Sequence, residues 1–290
     1  MLETDDFFHI GATHITAGQP CQDHALSGVY DGAAFAIVSD GCSKGRMTDV
    51  GARIITLSTA AAIKADWNVN KDRGRMSEAT PVLVDRHQLT MLHEAQKLFS
   101  LERDDLLATC CYAYVTPKGG LVHIKGDGAL ALVFKDGTLR IARYEWQHNM
   151  PFYPIYSLEG QAVFVELHGG DAKHNMVISE EAADRSPNGT WLRFASCTYS
   201  LESGIQGTTW FLPEDLIKRL AYIAVFSDGV TQVEGMDWKE VIADLMAFKT
   251  TNGLFAKRRM IRFIQDARKT GKGPTDDISF AVIKLLDEEV

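Results

Sequence analysis

The sequence predicts an α+β fold in which antiparallel sheets carry helices on their outer sides. The middle of the chain is a series of short apolar runs, "LLATCCYAYVTPKGG", "LVHIKGDG", "ALALVFKDG" and "TLRIARYEW". Gly-rich turns separate them, and the Lys135-Asp136-Gly137 turn favours a meander with antiparallel pairing. Segments with a helical apolar period lie on both sides of this region. No Pro/Ser-rich linker and no internal repeat divides the chain, so a single domain over residues 1–290 is expected.

Taken in order, "AAFAIVS" between Asp31-Gly32 and Asp40-Gly41 reads as a buried strand bounded by turns. Val50, Ile54, Leu57 and Ala61 then recur at helical spacing, with Thr48 or Asp49 as the cap. The polar stretch from Asn68 to Thr80 reads as a loop, and Val84 to Phe99 as a second helix. After the meander, "QAVFVELHG" and "TWLRFASCTYS" read as two more strands. Residues 168–190 are polar and predict an exposed flap or insertion. "YIAVFSDGVTQV" is a strand that stops in a turn. Trp238–Phe248 and Leu254–Ala267 are helices, "RKTGKGPTDD" is a loop, and "ISFAVIKLL" is a closing strand.

Hydrophobic residues make up 46% of the 290, enough for a sizeable core, and 23% charged residues argue against wholesale disorder. A formal net charge of -8 does not indicate a general nucleic-acid surface. The cysteines, Cys21, Cys42, Cys110, Cys111 and Cys197, include no CxxC pair, so a zinc knuckle is not suggested. The N-terminal segment lacks a basic region followed by an apolar stretch, and no apolar run approaches a membrane span. These features predict a soluble cytoplasmic protein with no membrane partner.

The acidic turns carry the chemistry. Two apolar runs end at Ser-Asp-Gly, one at Asp40 and one at Asp228. A carboxylate just beyond a strand is held by rigid backbone, and the glycine after it lets its own carbonyl approach a ligand. Asp23 in "CQDHA", Asp127 in "KGDGA" and Asp276-Asp277 in "GPTDDISF" occupy comparable loops. Brought together, such carboxylates suit a hard divalent cation, Mg²⁺ or Mn²⁺. Asp-Gly is equally a common turn filler, the reading preferred for Asp31-Gly32 and Asp136-Gly137. Other motifs fail. "GCSKGRMT" is not a phosphate-binding P-loop, and neither Cys21 nor Cys42 has the C-x5-R arrangement of a cysteine phosphatase.

The ordered set "GQPCQDHA", "FAIVSDGCSKGRMTDVGAR", "LLATCCYAYV", "HIKGDGALALVF", "AVFSDGV" and "TDDISFAVI" resembles the metal-dependent Ser/Thr protein phosphatases of the 2C type, in their divergent bacterial branch. The likeness runs from Gly11 to Leu285. It implies a four-layer αββα sandwich with a binuclear Mn²⁺/Mg²⁺ centre at one edge. It also implies hydrolysis of phosphoserine or phosphothreonine by a metal-bridging water, without a phosphoenzyme. By the same resemblance Asp40 is the bridging ligand and Gly41 contributes its carbonyl. Asp228 and Asp276 bind the first metal, Asp23 holds coordinated water from outside, and Asp127 helps to hold a third ion. Asp277 stands where the family usually has Asn, as a partial substitute or as a structural acceptor.

The departures concern phosphate binding. The family commonly has an Arg before the first acidic motif, and this chain has none there; His14 is in that neighbourhood, either as a phosphate donor or as a surface or turn histidine. Cys42 replaces the His of many relatives. Lys44 and Arg46 either bring positive charge to the substrate or form a solvated loop. Three functions follow: a phosphoprotein phosphatase in signal transduction, opposed by a cognate Ser/Thr kinase; a 2C-like domain that binds a phosphoprotein without efficient turnover; and a phosphatase for a small phosphate ester.

Overall fold

The computed structural model describes residues 2–193 and 196–286. The chain begins with β1 (Leu2–His9), α1 (Ala12–Ala17), β2 (His24–Tyr30) and β3 (Ala33–Ser39), then forms α2 (Thr48–Asn70) and α3 (Thr80–Phe99). The meander is β4 (Cys110–Thr116), β5 (Gly119–Lys125), β6 (Gly128–Phe134) and β7 (Leu139–Trp146). Next come α4 (Tyr156–Glu159), α5 (Gln161–Leu167), β8 (Met176–Arg185), β9 (Trp191–Arg193) and β10 (Cys197–Ser200). The last part contains α6 (Leu201–Gln206), β11 (Thr208–Pro213), α7 (Glu214–Ile217), β12 (Leu220–Phe226), α8 (Trp238–Leu245), α9 (Phe255–Lys269) and β13 (Ile278–Leu285).

Two antiparallel sheets result. The larger runs β1-β13-β12-β6-β7-β8-β10, with β9 paired to β8, and the smaller runs β11-β5-β4-β3-β2. Strands at the centre are apolar on both faces because both faces are buried. In β12, Ile223 and Val225 enter the core between the sheets, whereas Ala224 and Phe226 face α8 and α9. In β4, Cys111, Ala113 and Val115 enter the same core, whereas Cys110, Tyr112 and Tyr114 face α2 and α3. The layers are therefore helix, sheet, sheet, helix, as expected. Among the described residues no helix is long and apolar enough to cross a membrane.

Several local readings change. The helix from Thr48 forms, but its buried stripe is Ala52, Ile55, Thr59 and Ile63, and Leu57 is exposed. Small and hydroxyl-bearing residues let α2 lie close to the sheet; Thr59 turns its hydroxyl back to the Ile55 carbonyl at 2.7 Å. Thr48 is not a cap: it is the first helical residue, and its hydroxyl bonds the Cys42 carbonyl at 3.1 Å. "QAVFVEL" is helix α5, despite its β-branched valines, and packs Phe164 into the core. Within 168–190, read as an exposed flap, lies β8, paired to β7 from Leu139↔Arg185 to Trp146↔Ile178. Its Val177, Ile178 and Ala182 are buried in the core. The strand expected over "TWLRFASCTYS" is two strands, β9 and β10, and residues 194–195 of it lie outside the described residues.

Candidate metal centre

Antiparallel pairing brings the acidic loops to one end of the sandwich. β3 of the smaller sheet runs into Asp40, and β12 of the larger runs into Asp228. β2 pairs His24 with Ser39, which places Asp23 beside the end of β3. Phe226 pairs with Phe280 and with Ala129, so the loops holding Asp276 and Asp127 flank the end of β12. The two Ser-Asp-Gly turns thus meet across the sandwich, one from each sheet. Asp40 is within hydrogen-bonding reach of both Asp23 and Asp228.

The backbone around these groups is clamped. The Asp40 N–H donates to Thr109 Oγ1 at 3.1 Å, and its carbonyl accepts from the Thr109 N–H at 2.8 Å. Asp23 Oδ2 accepts from the Ser227 hydroxyl at 2.7 Å, and that hydroxyl accepts from the Ser279 N–H at 3.0 Å. Gln232 Nε2 donates to Asp228 Oδ2 at 3.1 Å. Asp127 sits between Gly126 and Gly128, whose φ angles of 98° and 141° favour glycine. Gly229 answers to crowding: a Cβ there would lie 1.9 Å from the Asp277 carbonyl oxygen. Gly229→Ala is expected to force the Asp228 and Asp276 loops apart and destabilise the fold by about 2–3 kcal/mol. A thermal melt checks this, and an unchanged midpoint would contradict the contact.

The charges repel. Burial pushes the Asp23 carboxyl up to about 7, a rise resisted by bonds from Ser227 and Ser279. Asp40 is raised well above the ordinary carboxylate range, first by loss of hydration and then by the charges of Asp228, Asp23 and Asp127. Asp127 is raised by burial and by Asp228, and Asp228 by burial and by Asp276. Asp23 Oδ1 is buried with no hydrogen-bond partner. Crowded oxygens of this kind, with an unsatisfied buried acceptor among them, fit a hard divalent cation, whose charge would oppose these shifts.

His14, Asp276 and Asp277 form a second, tighter group, with one ligand atom from each within 4.8 Å of the others. Asp277 is a structural acceptor: Oδ1 takes the Gly11 N–H at 2.7 Å and Oδ2 the Gln22 N–H at 2.5 Å. His14 is only 3% exposed. Its Nδ1 lies 2.9 Å from Asp277 Oδ2, off the line of a hydrogen bond, and 3.9 Å from Asp276 Oδ1. It therefore sits against the Asp pair and is not the surface or turn histidine that the sequence left open. Arg46, expected near phosphate, is engaged by Asp105 through Nε at 3.2 Å and Nη2 at 3.1 Å, with Glu102 at 3.3 Å. The Asp105 carboxyl is held below its usual range by Arg46. Lys44 is exposed on the same loop.

Sequence reasoning missed Ser227, Thr109 and Tyr153. The first two carry no signal beyond their position beside an Asp turn or a strand. Tyr153, in the aromatic stretch "MPFYPIY", is buried with its hydroxyl beside the Cys42 thiol. Burial raises this phenol, and the nearby Cys42, Asp127 and Asp40 raise it further.

The chain matches the protein phosphatase 2C family over residues 10–154, half of its length. No curated protein matches the sequence. Among solved structures, a bacterial serine phosphatase has a TM-score of 0.56 at 14% identity, with 100% of each chain covered. The Staphylococcus aureus serine/threonine phosphatase Stp1 has a TM-score of 0.56 at 14% identity, covering 99% of this chain and 96% of that one. The Mycobacterium tuberculosis serine/threonine phosphatase PstP/Ppp has a TM-score of 0.52 at 13% identity, covering 99% of each. The fold is that of these phosphatases, and by its sequence match the chain belongs to the protein phosphatase 2C family.

Proposed function

We propose that this chain, acting as one catalytic domain in the cytoplasm, is a Mn²⁺- or Mg²⁺-dependent phosphatase of phosphoserine and phosphothreonine in proteins. What carries the reading is the meeting of Asp40 and Asp228 at strand ends from opposite sheets. Asp40, Asp228 and Asp276 would hold the ions with their carboxylates, Asp40 as the shared ligand, and Gly41 would offer its carbonyl. Bound there, the cations shield phosphoryl charge and activate water as the nucleophile. Ester and water become phosphate and the free hydroxyl, with no cysteine or histidine nucleophile. Asp23, bonded to Ser227, would orient the water, and Asp127 would hold a third, peripheral ion.

The phosphate is met differently from the family pattern. Arg46 is occupied by Asp105, which leaves Lys44 as the open cation of its loop. His14 braces the Asp276-Asp277 pair. A Ser/Thr kinase phosphorylating the same substrate is the implied opposing partner. The occupied Arg46 also supports a second reading, a domain that binds a phosphoprotein with little turnover. Hydrolysis of a phosphopeptide panel in Mn²⁺, Mg²⁺ or chelator separates the two. Metal-dependent release of phosphate supports the phosphatase, and binding without release supports the second reading.

Asp127→Ala tests the peripheral ion. It is expected to lower turnover about tenfold while the affinity of the two core ions, measured by calorimetry, stays within twofold. Unchanged turnover at both limiting and saturating Mn²⁺ would reduce Asp127 to a turn residue.

A further inference from the structure

A cavity of about 380 Å³ opens beside the carboxylate cluster, within the volume range of ligand pockets. Cys42 and Tyr153 form the wall it shares with the centre. The rest of its lining is mostly apolar, and three of those residues remain open to solvent: Met150 at 39%, Val163 at 62% and Leu167 at 68% exposure. The floor is rigid. Phe164 is buried and packs on Tyr156 with ring centroids 5.1 Å apart.

Two further observations mark this pocket. Among the described residues, Lys44 and Arg103 are its only charged lining residues and no carboxylate lines it, although the chain as a whole is acidic and Arg103 also pairs with Asp104 at 3.3 Å. The turn at its entry, Gln147–Asn149, is strained: His148 and Asn149 follow one another with φ of 61° and 51°, a conformation that residues other than glycine rarely adopt. Such backbone persists where the surroundings impose it and clusters at ligand sites.

We infer that this cavity is a specificity pocket for a large apolar side chain adjacent to the phosphorylated residue of the substrate. The inference rests on the phosphatase reading. Phosphate at the carboxylate cluster leaves the neighbouring side chain of the peptide one wall away, past Cys42 and Tyr153. An aromatic or aliphatic group there covers Met150, Val163 and Leu167. Lys44 stands where the anionic phosphate and the apolar side chain meet.

The test uses phosphothreonine peptides carrying Phe at either neighbouring position, or Ser at both. In Mn²⁺, kcat/KM for a Phe peptide is expected to exceed that for the Ser peptide by about tenfold or more. Val163→Glu and Leu167→Glu alter exposed side chains outside the centre. Each is expected to bring that ratio near one, through KM, and to leave the Ser peptide unchanged within twofold. Equal rates on Phe and Ser peptides in the unaltered protein overturn the pocket while leaving the phosphatase standing. Failure to hydrolyse any peptide overturns the phosphatase instead. In that case binding of the non-hydrolysable phosphonate versions decides the pocket. Tighter binding of the Phe phosphonate, lost in Val163→Glu, supports it, and equal affinities reject it.

Discussion

Asp40→Asn is expected to lower the proposed Mn²⁺-dependent phosphopeptide hydrolysis by at least about a thousandfold, because the charge shielding it organises would take several kcal/mol off the barrier. The substitution keeps the shape of the side chain. It also keeps the two backbone bonds to Thr109, at 3.1 and 2.8 Å, so the turn stays in place. What is lost is one negative charge at the point where Asp23, Asp127 and Asp228 converge. A second signature separates this from misfolding. Without metal, Asp40→Asn melts at a higher temperature than the unaltered protein, since repulsion is relieved. With Mn²⁺, it gains little. Steady-state kinetics and thermal melts with and without chelator read both. Full activity at saturating Mn²⁺ would sink the assignment of Asp40 as the shared ligand.

The stability gap between Mn²⁺-loaded and chelated protein is expected to open as pH rises from about 5 to 8, reaching roughly 5–10 °C at saturating Mn²⁺. The sign comes from Asp23, pushed up to about 7 by burial. The folded, metal-free chain keeps that proton to a higher pH than the unfolded chain does. Its stabilising contribution is complete below the ordinary carboxylate range and is lost as pH rises through about 7. Asp40, Asp127 and Asp228 are raised as well and act in the same direction. His24 and His123 act oppositely at lower pH, since burial lowers them to about 4 and about 3. Their contribution is present above the unfolded histidine value and lost on acidification, with or without metal. It therefore cancels in the difference. Melts of chelated and Mn²⁺-loaded protein across this range provide the measurement, and a gap independent of pH would refute the carboxylate account.

Much of the architecture is legible in the sequence because it depends on neighbours along the chain. Ala33–Val38 and Ile223–Phe226 are apolar at every position, which is what a strand buried on both faces requires. The turns after them announce themselves as Ser-Asp-Gly. Edge strands carry a weaker signal. β1, "LETDDFFH", and β2, "HALSGVY", are half-buried over most of their length and mix polar with apolar residues. β8 looked like a polar insertion because Glu180 and Glu181 interrupt its apolar residues. Arg143 pairs with Glu181 across the strands at 2.8 Å, and Glu180 accepts the Tyr199 hydroxyl. In α5, tertiary packing of Phe164 overrides the strand preference of its valines.

The sequence by itself determined which acidic residues stand at strand ends, and hence the chemistry open to them. Only the tertiary structure decided which of these turns meet. Asp40 and Asp228 are 188 positions apart and belong to different sheets, so their contact depends on strand order and on how the sheets stack. The partners of the basic residues were likewise decided in three dimensions. Arg46 turns to Asp105, 59 positions away, and His14 to Asp277 at the other end of the chain. Charge along a sequence records what a residue can bind. Its partner is whichever opposite charge the fold brings within about 3–4 Å, and a linear pattern does not contain that distance.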